Sequence, residues 1–268
     1  MGSGPVNLLA IESATSLVGT ALLADSGSAV ERSHQEGRMH AESLAPAIEE
    51  VCALSGLTVQ EVDAIAVDVG PGLFTGLRVG VATAKALAQG LGIGVLAVSS
   101  LDILAAGADA ESGSDGARTV VVVVDARRGE VFTSRYRFGG AASGPGDLLD
   151  PAPARLSPPR LVTPEALTQS LIDMDRGPGE RVLIVGDGAV RYRHLLADAQ
   201  AGDLDLVERV SSPSPLTLAR LARRRLDAGA ELVRPADVVP DYRREADARI
   251  NWEQRIPPTG TSGHAHER

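Results

Sequence analysis

Each half of the chain carries the same local pattern, an apolar strand that ends in an acid, then a turn, then a second strand. In the first half the acid is Glu12, in the run Ile11-Glu12-Ser13-Ala14, and in the second half it is Asp125, in the run Val124-Asp125-Ala126-Arg127. Short apolar runs that stop at turn residues are typical of buried strands. A repeat of this kind predicts two related lobes.

The order of elements in the first half predicts the fold of that lobe. Apolar periodicity and turn signals indicate strands over 6–14, 17–24 and 29–35, a helix over 41–55, a strand over 62–69, a helix over 75–91 and a strand over 93–98. Thr75 is the expected N-cap of the second helix. Three antiparallel strands extended by parallel strands through crossover helices are the order of a ribonuclease-H-like lobe.

The second half repeats this order in part. Strands are expected over 119–125, 130–138 and 181–185, helices from Pro164, near 189–199 and over 215–228, and loops over 107–117 and 139–159. We therefore expect an α/β protein of the actin-like ATPase (ASKHA) architecture, with two ribonuclease-H-like lobes of which the second is degenerate. The expected boundaries are 1–106, 118–250 and a disordered tail over 251–268.

In an actin-like ATPase the first hairpin of each lobe grips phosphate or its magnesium, so both turns need small residues. The first turn, Ser13 to Ser16, meets this need, whereas the second turn carries two arginines, Arg127 and Arg128. We interpret Glu12, Ser13, Thr15 and Asp125 as vestigial phosphate-loop positions. Nucleotide hydrolysis by this chain alone is disfavoured.

The glycine-rich run Asp68 to Gly80, DVGPGLFTGLRVG, resembles a phosphate-binding loop but fails its tests. A P-loop needs a second glycine followed by Lys and Ser or Thr, and the chain's one lysine, Lys85, lies along the next helix. The dinucleotide fingerprint needs glycine where Thr75 stands. The run is either a tight turn into a closely packed helix or a loop with another function.

Composition excludes several classes of function. The formal net charge of −9 argues against a general nucleic-acid surface, and the single cysteine, Cys52, permits no internal disulfide or cysteine metal cluster. Cys52 is expected to be a small buried apolar residue. No run approaches the ~20 apolar residues of a membrane span, and the first residues lack a signal-peptide pattern, so a cytoplasmic protein is expected.

The histidines do not predict a metal site. His40-Ala-Glu42 is not the His-Glu-x-x-His zinc motif, and His264 and His266 lie in the expected tail. A metallopeptidase is therefore disfavoured. The arginines near 191–194 and 220–225 are expected to be solvated helix faces rather than RNA contacts.

Three blocks of the sequence resemble the bacterial TsaB family, also called YeaZ. They are LAIESAT over 9–15 with VGTAL over 18–22, DVGPGLFTGLRVG over 68–80, and DARRGEV over 125–131. MHAESL over 39–44 agrees, and PDYRR over 240–244 resembles the C-terminal Pro-x-Tyr-x-Arg element of the family. The chain departs from the first block in carrying Glu12 where aspartate is commoner.

The resemblance implies a non-catalytic subunit in the formation of N6-threonylcarbamoyladenosine at position 37 of tRNAs that read ANN codons. It implies that the chain binds TsaD, the metal-bearing paralogue that transfers the group, and that the ATPase TsaE joins them. No cofactor of its own is expected, because ATP, magnesium and a metal belong to the partner proteins. Contact with tRNA is expected only through the complex.

The two helices of the first half are the expected partner interface. Gly76, Gly80 and Ala84 recur at helical spacing and form a smooth stripe that admits a close helix, unless both stripes of the helix face the same core. The expected interface residues on helices 41–55 and 75–91 are Leu44, Ile48, Val51, Gly76, Gly80, Thr83, Ala84 and Leu87, and a homodimer through the same helices is the alternative. Gly80→Leu should then abolish binding to TsaD while the monomer stays folded.

The family motif loop is represented by Gly70, Pro71, Gly72, Thr75 and Arg78. Arg78 lies one turn into the helix, where it could form a salt bridge either with the preceding loop or with a partner carboxylate. The alternative functions are an actin-fold small-molecule kinase, which should bind ATP with magnesium on its own, and a metallopeptidase, which should retain zinc.

Overall fold

The computed structural model describes residues 6–35, 40–112, 118–138, 154–175, 180–196 and 204–242. The first sheet contains β1 Leu8–Glu12, β2 Leu17–Leu23, β3 Ala29–Gln35, β4 Ala64–Asp68 and β5 Gly94–Val98, in the order β3-β2-β1-β4-β5. Strands β1, β2 and β3 pair antiparallel, and β4 joins β1 and β5 in parallel. This is the order predicted for a ribonuclease-H-like lobe.

The first sheet is buried on both faces, which explains its continuous apolar runs. Leu9 and Ile11 of β1 pack with the helices α1, His40–Ser55, and α2, Phe74–Leu91. Leu8 and Ala10 face the opposite side and pack with two further helices, α3 over Ser100–Ser112 and α7 over Pro215–Asp227.

Helix α2 begins one residue earlier than the sequence predicts. The N-cap is Leu73, whose side chain makes no capping bond, so the prediction of Thr75 as N-cap is wrong. The Leu73 amide donates to the carbonyl of Ala14 at 2.6 Å, and this tertiary bond fixes where the helix starts. Thr75 therefore lies exposed in the first turn.

Helix α3 was not predicted, and the expectation of a loop from residue 107 is wrong up to residue 112. Its residues Leu101 and Leu104 pack on the second sheet, while Ile103 packs on the first. Because the helix is apolar on more than one side, it lacks the single apolar stripe of a surface helix. The rest of the expected loop, 113–117, lies outside the described residues.

The second sheet contains β6 Arg118–Arg127, β7 Glu130–Phe138, β8 Ala154–Arg155, β9 Arg160–Val162, β10 Arg181–Val185 and β11 Leu204–Leu206. Its order is β11-β10-β6-β7-β8, and β9 also pairs with β7. Strands β6 and β7 are antiparallel, whereas β10 is parallel to β6 and β11. The expected loop 139–159 contains β8, and its residues 139–153 lie outside the described part.

The described second half of the chain contains four α-helices. Helix α4, Pro164–Ile172, follows β9; α5, Asp187–Arg191, and α6, Arg193–Leu196, lie between β10 and β11; and α7 follows β11. The first is capped by Thr163, whose hydroxyl accepts from the Ala166 amide at 3.2 Å. Helix α7 was expected in the second lobe, but Leu218 and Leu221 are buried against the first sheet. The sequence-based boundary at 118–250 is therefore wrong for this helix, and the expected tail over 251–268 lies outside the described residues.

A buried carboxylate, Asp102 of α3, ties the two sheets together. It accepts hydrogen bonds from the Tyr136 hydroxyl at 2.8 Å and the Arg225 guanidinium at 2.7 Å, and it pairs with Arg155. These partners come from β7, α7 and β8. Within the described chain, no helix is both long and apolar enough to cross a membrane.

Candidate functional site

In the first turn, predicted as a vestigial phosphate loop, two hydrogen-bond donors are occupied by the chain itself. The Ser13 hydroxyl donates to the carbonyl of Gly76 at 2.9 Å, and the Ala14 amide donates to Glu12 Oε1 at 2.8 Å. Both Ser13 and Thr15 are buried. A phosphate cradle needs free N–H and hydroxyl donors, so this turn serves as a packing surface for the loop that precedes α2.

Contact with the first turn requires glycine at two positions, one in that loop and one in α2. A Cβ at Gly72 would overlap the carbonyl of Ala14, and a Cβ at Gly80 would overlap the Ser13 hydroxyl. Gly70 has φ +103°, a conformation that favours glycine, and a cis peptide bond joins it to Pro71. The close-packed turn, one of the two interpretations of the sequence, is the structure that forms.

The small-residue stripe of α2 therefore faces its own lobe. Gly76, Gly80 and Ala84 are buried, and Gly80 lies over Ser13 and Ile11. The expectation that this stripe admits a partner helix is wrong, because the first turn already fills the space. Leu44 and Val51 of α1 are buried in the same core.

Two buried carboxyls, Glu12 and Asp68, lie next to each other beneath the motif loop. Asp68 Oδ1 accepts from the Ser100 hydroxyl and the Gly70 amide, each at 2.7 Å. Burial and then the charge of Asp68 raise the pKa of Glu12 well above its ordinary value of 4.5, and burial also raises the pKa of Asp68. Two negative charges side by side in a buried site are unfavourable, so we expect the pair to keep one proton between them.

The second turn is neutralised by arginine. The guanidinium groups of Arg127 and Arg191 lie 3.0 Å and 3.4 Å from Asp125 Oδ2, and the Arg127 amide donates to Oδ1 at 3.0 Å. Arg127 and Arg128 adopt positive φ values of 63° and 55°. Asp125, interpreted from the sequence as a vestigial phosphate-loop position, is thus bound to cations of the chain itself.

Arg78 is held by aromatic rings. Its guanidinium carbon lies 3.8 Å from the centre of the Phe74 ring, and its Nε donates to the Tyr242 hydroxyl at 3.2 Å. The two rings are 5.0 Å apart. The expected salt bridge to the preceding loop is not among the ion pairs of the described residues, and the alternative, a salt bridge to a partner carboxylate, stays a prediction. The stack fastens the C-terminal segment to the motif loop, and Arg243 and Arg244 of that segment lie outside the described part.

An open apolar groove of about 640 Å³ runs between α1 and α2. Three of the predicted interface residues line it, Ile48, Thr83 and Leu87. The other lining residues are Ala45, Glu49, Cys52, Ala53, Leu57, Thr58, Val59 and Ala86. One acidic and no basic side chain lines the groove, so it is suited to an apolar surface of a partner.

Sequence reasoning missed most of these lining residues. Ala45, Ala53 and Ala86 are exposed. The sequence pattern that could have predicted them is the presence of small residues on the outward face of helices whose inner face is already apolar. Cys52 is 5% exposed and, as expected, is a small buried residue, although it also lines the groove.

Comparison with known proteins places the chain in a family. Residues 33–252 match the family model described as TsaD, tRNA N6-adenosine threonylcarbamoyltransferase. The chain is 33% identical to the Mycobacterium tuberculosis protein Rv3421c over 90% of this chain and 93% of that protein. It is 28% identical to the Bacillus subtilis tRNA threonylcarbamoyladenosine biosynthesis protein TsaB over 92% of this chain and 98% of that protein.

The chain belongs to the TsaB (YeaZ) family. The solved structure of YeaZ from Pseudomonas aeruginosa superposes with a TM-score of 0.73 and 27% identity, covering 88% of this chain and 99% of that one. The predicted resemblance is confirmed. Two blocks that carry it meet in the structure, because the first turn and the TsaB motif loop pack against each other through Ala14 and Gly72.

Proposed function

We propose that this TsaB-family chain acts in the biosynthesis of N6-threonylcarbamoyladenosine in tRNA, as a non-catalytic subunit that docks TsaD. The role in the pathway is supported by the TsaB relatives. The docking role is supported by one observation above all, the open groove between α1 and α2. TsaE is proposed to join the pair, and tRNA is proposed to be contacted only through the complex, in the cytoplasm.

The chemistry of the groove suits a protein partner. Ile48 and Leu87 provide an apolar floor, and the exposed alanines Ala45, Ala53 and Ala86 let a facing helix come close. Close approach of apolar surfaces excludes water and gains dispersion contact. In the absence of TsaD the same groove is open to a second copy of the chain, which would form a homodimer through the same helices.

The proposed lack of catalysis is supported by the two turns. The Ser13 hydroxyl donates a hydrogen bond to the carbonyl of Gly76, and Asp125 forms ion pairs with Arg127 and Arg191. The groups that would hold the phosphates and magnesium in an actin-like ATPase are thus engaged within the chain. We propose that ATP, magnesium and a catalytic metal are bound by the partner proteins.

Reconstitution of tRNA modification tests this function. The chain is mixed with TsaD, TsaE, the synthase that makes threonylcarbamoyl-adenylate, and tRNA, and each component is omitted in turn. We expect modification to require this chain, although the chain alone has no activity. ATP binding with magnesium is measured on the chain alone by calorimetry, and no saturable heat is expected.

Two outcomes would contradict the proposal. Full modification without this chain would remove it from the reaction. Saturable binding of ATP with magnesium by the chain alone, lost in Ser13→Ala and Asp125→Asn, would instead favour the actin-fold kinase.

A further inference from the structure

A second, smaller cavity lies in the second lobe between β7, β9 and α4, and we call it the α4 pocket. Its volume is about 120 Å³. The wall that α4 provides is apolar at Leu167 and Leu171, which are buried in the core of the second sheet. Strands β6 and β9 add Val121 and Val162 to the same apolar floor.

Two arginines line this pocket, the half-buried Arg135 of β7 and the exposed Arg160 of β9. Arg160 pairs with Thr133 across the strands, and Arg135 follows two residues later on the same face of β7. Within the described residues neither guanidinium forms an ion pair, and no carboxylate lines the pocket. Two positive charges that line one pocket with an apolar floor favour the binding of an anion.

Hydroxyl groups complete the polar side of the pocket. Ser157 Oγ accepts from the Arg135 amide at 3.0 Å, so its own proton remains available to donate. Thr133 also lines the pocket, and the Ser170 hydroxyl donates to the Leu167 carbonyl at 2.8 Å. The pocket therefore offers guanidinium and hydroxyl donors at one side and apolar atoms at the other.

Of the two acids nearest to these arginines, Glu180 is engaged elsewhere. Asp175 and Glu180 line a neighbouring cleft that shares Arg135. Glu180 Oε1 accepts from the Thr119 hydroxyl at 2.6 Å and lies 3.3 Å from Arg137. These contacts hold Glu180 beside Thr119 and Arg137, and neither Asp175 nor Glu180 lines the α4 pocket, so the pocket itself is open to an anion from outside.

We propose that the α4 pocket binds a small carboxylate that carries a short aliphatic tail. The carboxylate lies between Arg135 and Arg160, where charge-assisted hydrogen bonds hold it, and the tail packs on Leu167 and Leu171. The site is in the second lobe and uses no residue of the groove between α1 and α2, so it is independent of the proposed docking function.

Chemical-shift titration of the isotope-labelled full-length chain tests the pocket with three probes. Butyrate has the charge and the tail, butylammonium has the tail with the opposite charge, and inorganic phosphate has charge without a tail. We expect butyrate to give saturable shifts of the Arg135 and Arg160 side-chain signals, butylammonium to give none, and phosphate to bind more weakly than butyrate.

Three variants make the test specific. Arg135→Gln and Arg160→Gln should each weaken butyrate binding about tenfold, the loss expected for one charged hydrogen bond. Arg181→Gln removes the same charge from an exposed surface pair of the same lobe, with Asp205 at 2.8 Å, and should leave binding unchanged. Since Arg160 is exposed, its substitution should not unfold the chain even if that of Arg135 does.

The proposal is overturned if butyrate gives no saturable shift at these arginines, or if Arg160→Gln binds butyrate as the wild type does. Phosphate that binds as tightly as butyrate would overturn the carboxylate assignment, because the apolar floor would then contribute nothing.

Discussion

The Ser13 hydroxyl occupies the space that a side chain at Gly80 would need, and it donates to the carbonyl of Gly76 at 2.9 Å. Ser13 therefore requires glycine at position 80 and also binds the backbone of the preceding helical turn. This relationship changes the expectation for Gly80→Leu, which should now damage the lobe itself instead of leaving a folded monomer that fails to bind.

Gly80→Ala tests that packing. The added methyl group must displace the Ser13 hydroxyl and break its bond to Gly76, so we expect a loss of about 1–3 kcal/mol in the free energy of unfolding. Gly90→Ala is the control, because Gly90 lies in the same helix with nothing within 4 Å of its Cβ position. It should stabilise by about 0.5–1 kcal/mol. Equal effects of the two substitutions in urea unfolding would contradict the packing account.

The Glu12 and Asp68 pair predicts a fall in stability as the pH rises. A carboxyl with a raised native pKa binds its proton more tightly in the folded state than in the unfolded state. The unfolded chain releases this proton near pH 4.5, the ordinary value for Glu12, while the folded chain still holds it. Stability therefore declines with pH above that value until the raised native pKa is passed.

Glu12→Gln keeps the shape of the protonated acid and removes its titration. We expect the variant to be more stable than the wild type at pH 7 by about 1 kcal/mol or more, with a smaller difference near pH 4.5. Glu231→Gln removes an exposed carboxylate and should show no such pH-dependent gain. Denaturant unfolding from pH 4.5 to 8 measures both, and a Glu12→Gln gain that does not change with pH would refute the shared proton.

Asp102 should contribute to the free energy of unfolding, because it is buried and links elements of the two sheets. Burial alone would raise its pKa, but hydrogen bonds from Arg225 and Arg155 outweigh burial and lower it. Its contribution is therefore present above its ordinary value of 3.8 and is lost as the pH falls through the lower native pKa.

Asp102→Ala should cost about 2–3 kcal/mol at pH 7, because it leaves Arg225, Arg155 and the Tyr136 hydroxyl without their shared acceptor. The partial exposure of the two arginines keeps the value at the low end for a buried pair. Asp205→Ala breaks an exposed pair with Arg181 and should change the free energy of unfolding by less than about 0.5 kcal/mol. Similar losses for both variants in thermal unfolding would show that the Asp102 contacts contribute no more than a surface pair.

Tyr242 should hold the C-terminal segment against the motif loop. The Asp241 amide donates to the Val69 carbonyl at 2.7 Å, and its hydrogen exchange reports opening of the segment. Tyr242→Ala removes both the ring contact with Phe74 and the bond from Arg78, so exchange at Asp241 should accelerate about fivefold to tenfold. Val239→Ala, at a neighbouring side chain that is 67% exposed, should not change it. Unchanged exchange in Tyr242→Ala would mean that other contacts hold the segment.

The sequence was sufficient to predict the bounds of strands that are marked by local residue patterns and turns. Strands β3, β7 and β10 match their predicted bounds. The sequences of β7 and β10 are rich in apolar residues and are followed by Gly139 and Gly186, whereas the more polar β3 was located by the turn at Gly27. Helix α3 was missed because Leu101, Ile103 and Leu104 contact different sheets, which removes the single apolar stripe that marks a helix. The packing of α7 on the first sheet was missed, because residue spacing can predict that a helix has an apolar face but not which sheet that face contacts.

The same limit explains the site. Spacing correctly grouped Gly76, Gly80 and Ala84 on one face of α2, but it could not show that Ser13 fills that face. The groove lies beside the predicted stripe, at Thr83 and Leu87, where the lobe leaves the helix uncovered. The partner of Arg78 was missed because Tyr242 is distant in sequence and becomes its neighbour only when the C-terminal segment folds back.

Co-purification of the chain with TsaD tests the central claim, which is docking through the groove between α1 and α2. Ala86→Arg puts a long charged side chain into the groove, and Gln89→Arg puts the same side chain at an exposed position of α2 that does not line it. We predict that Ala86→Arg weakens the complex at least about tenfold while Gln89→Arg binds as the wild type does. Both variants should unfold at the wild-type temperature. Wild-type binding of TsaD by a folded Ala86→Arg chain would contradict the account.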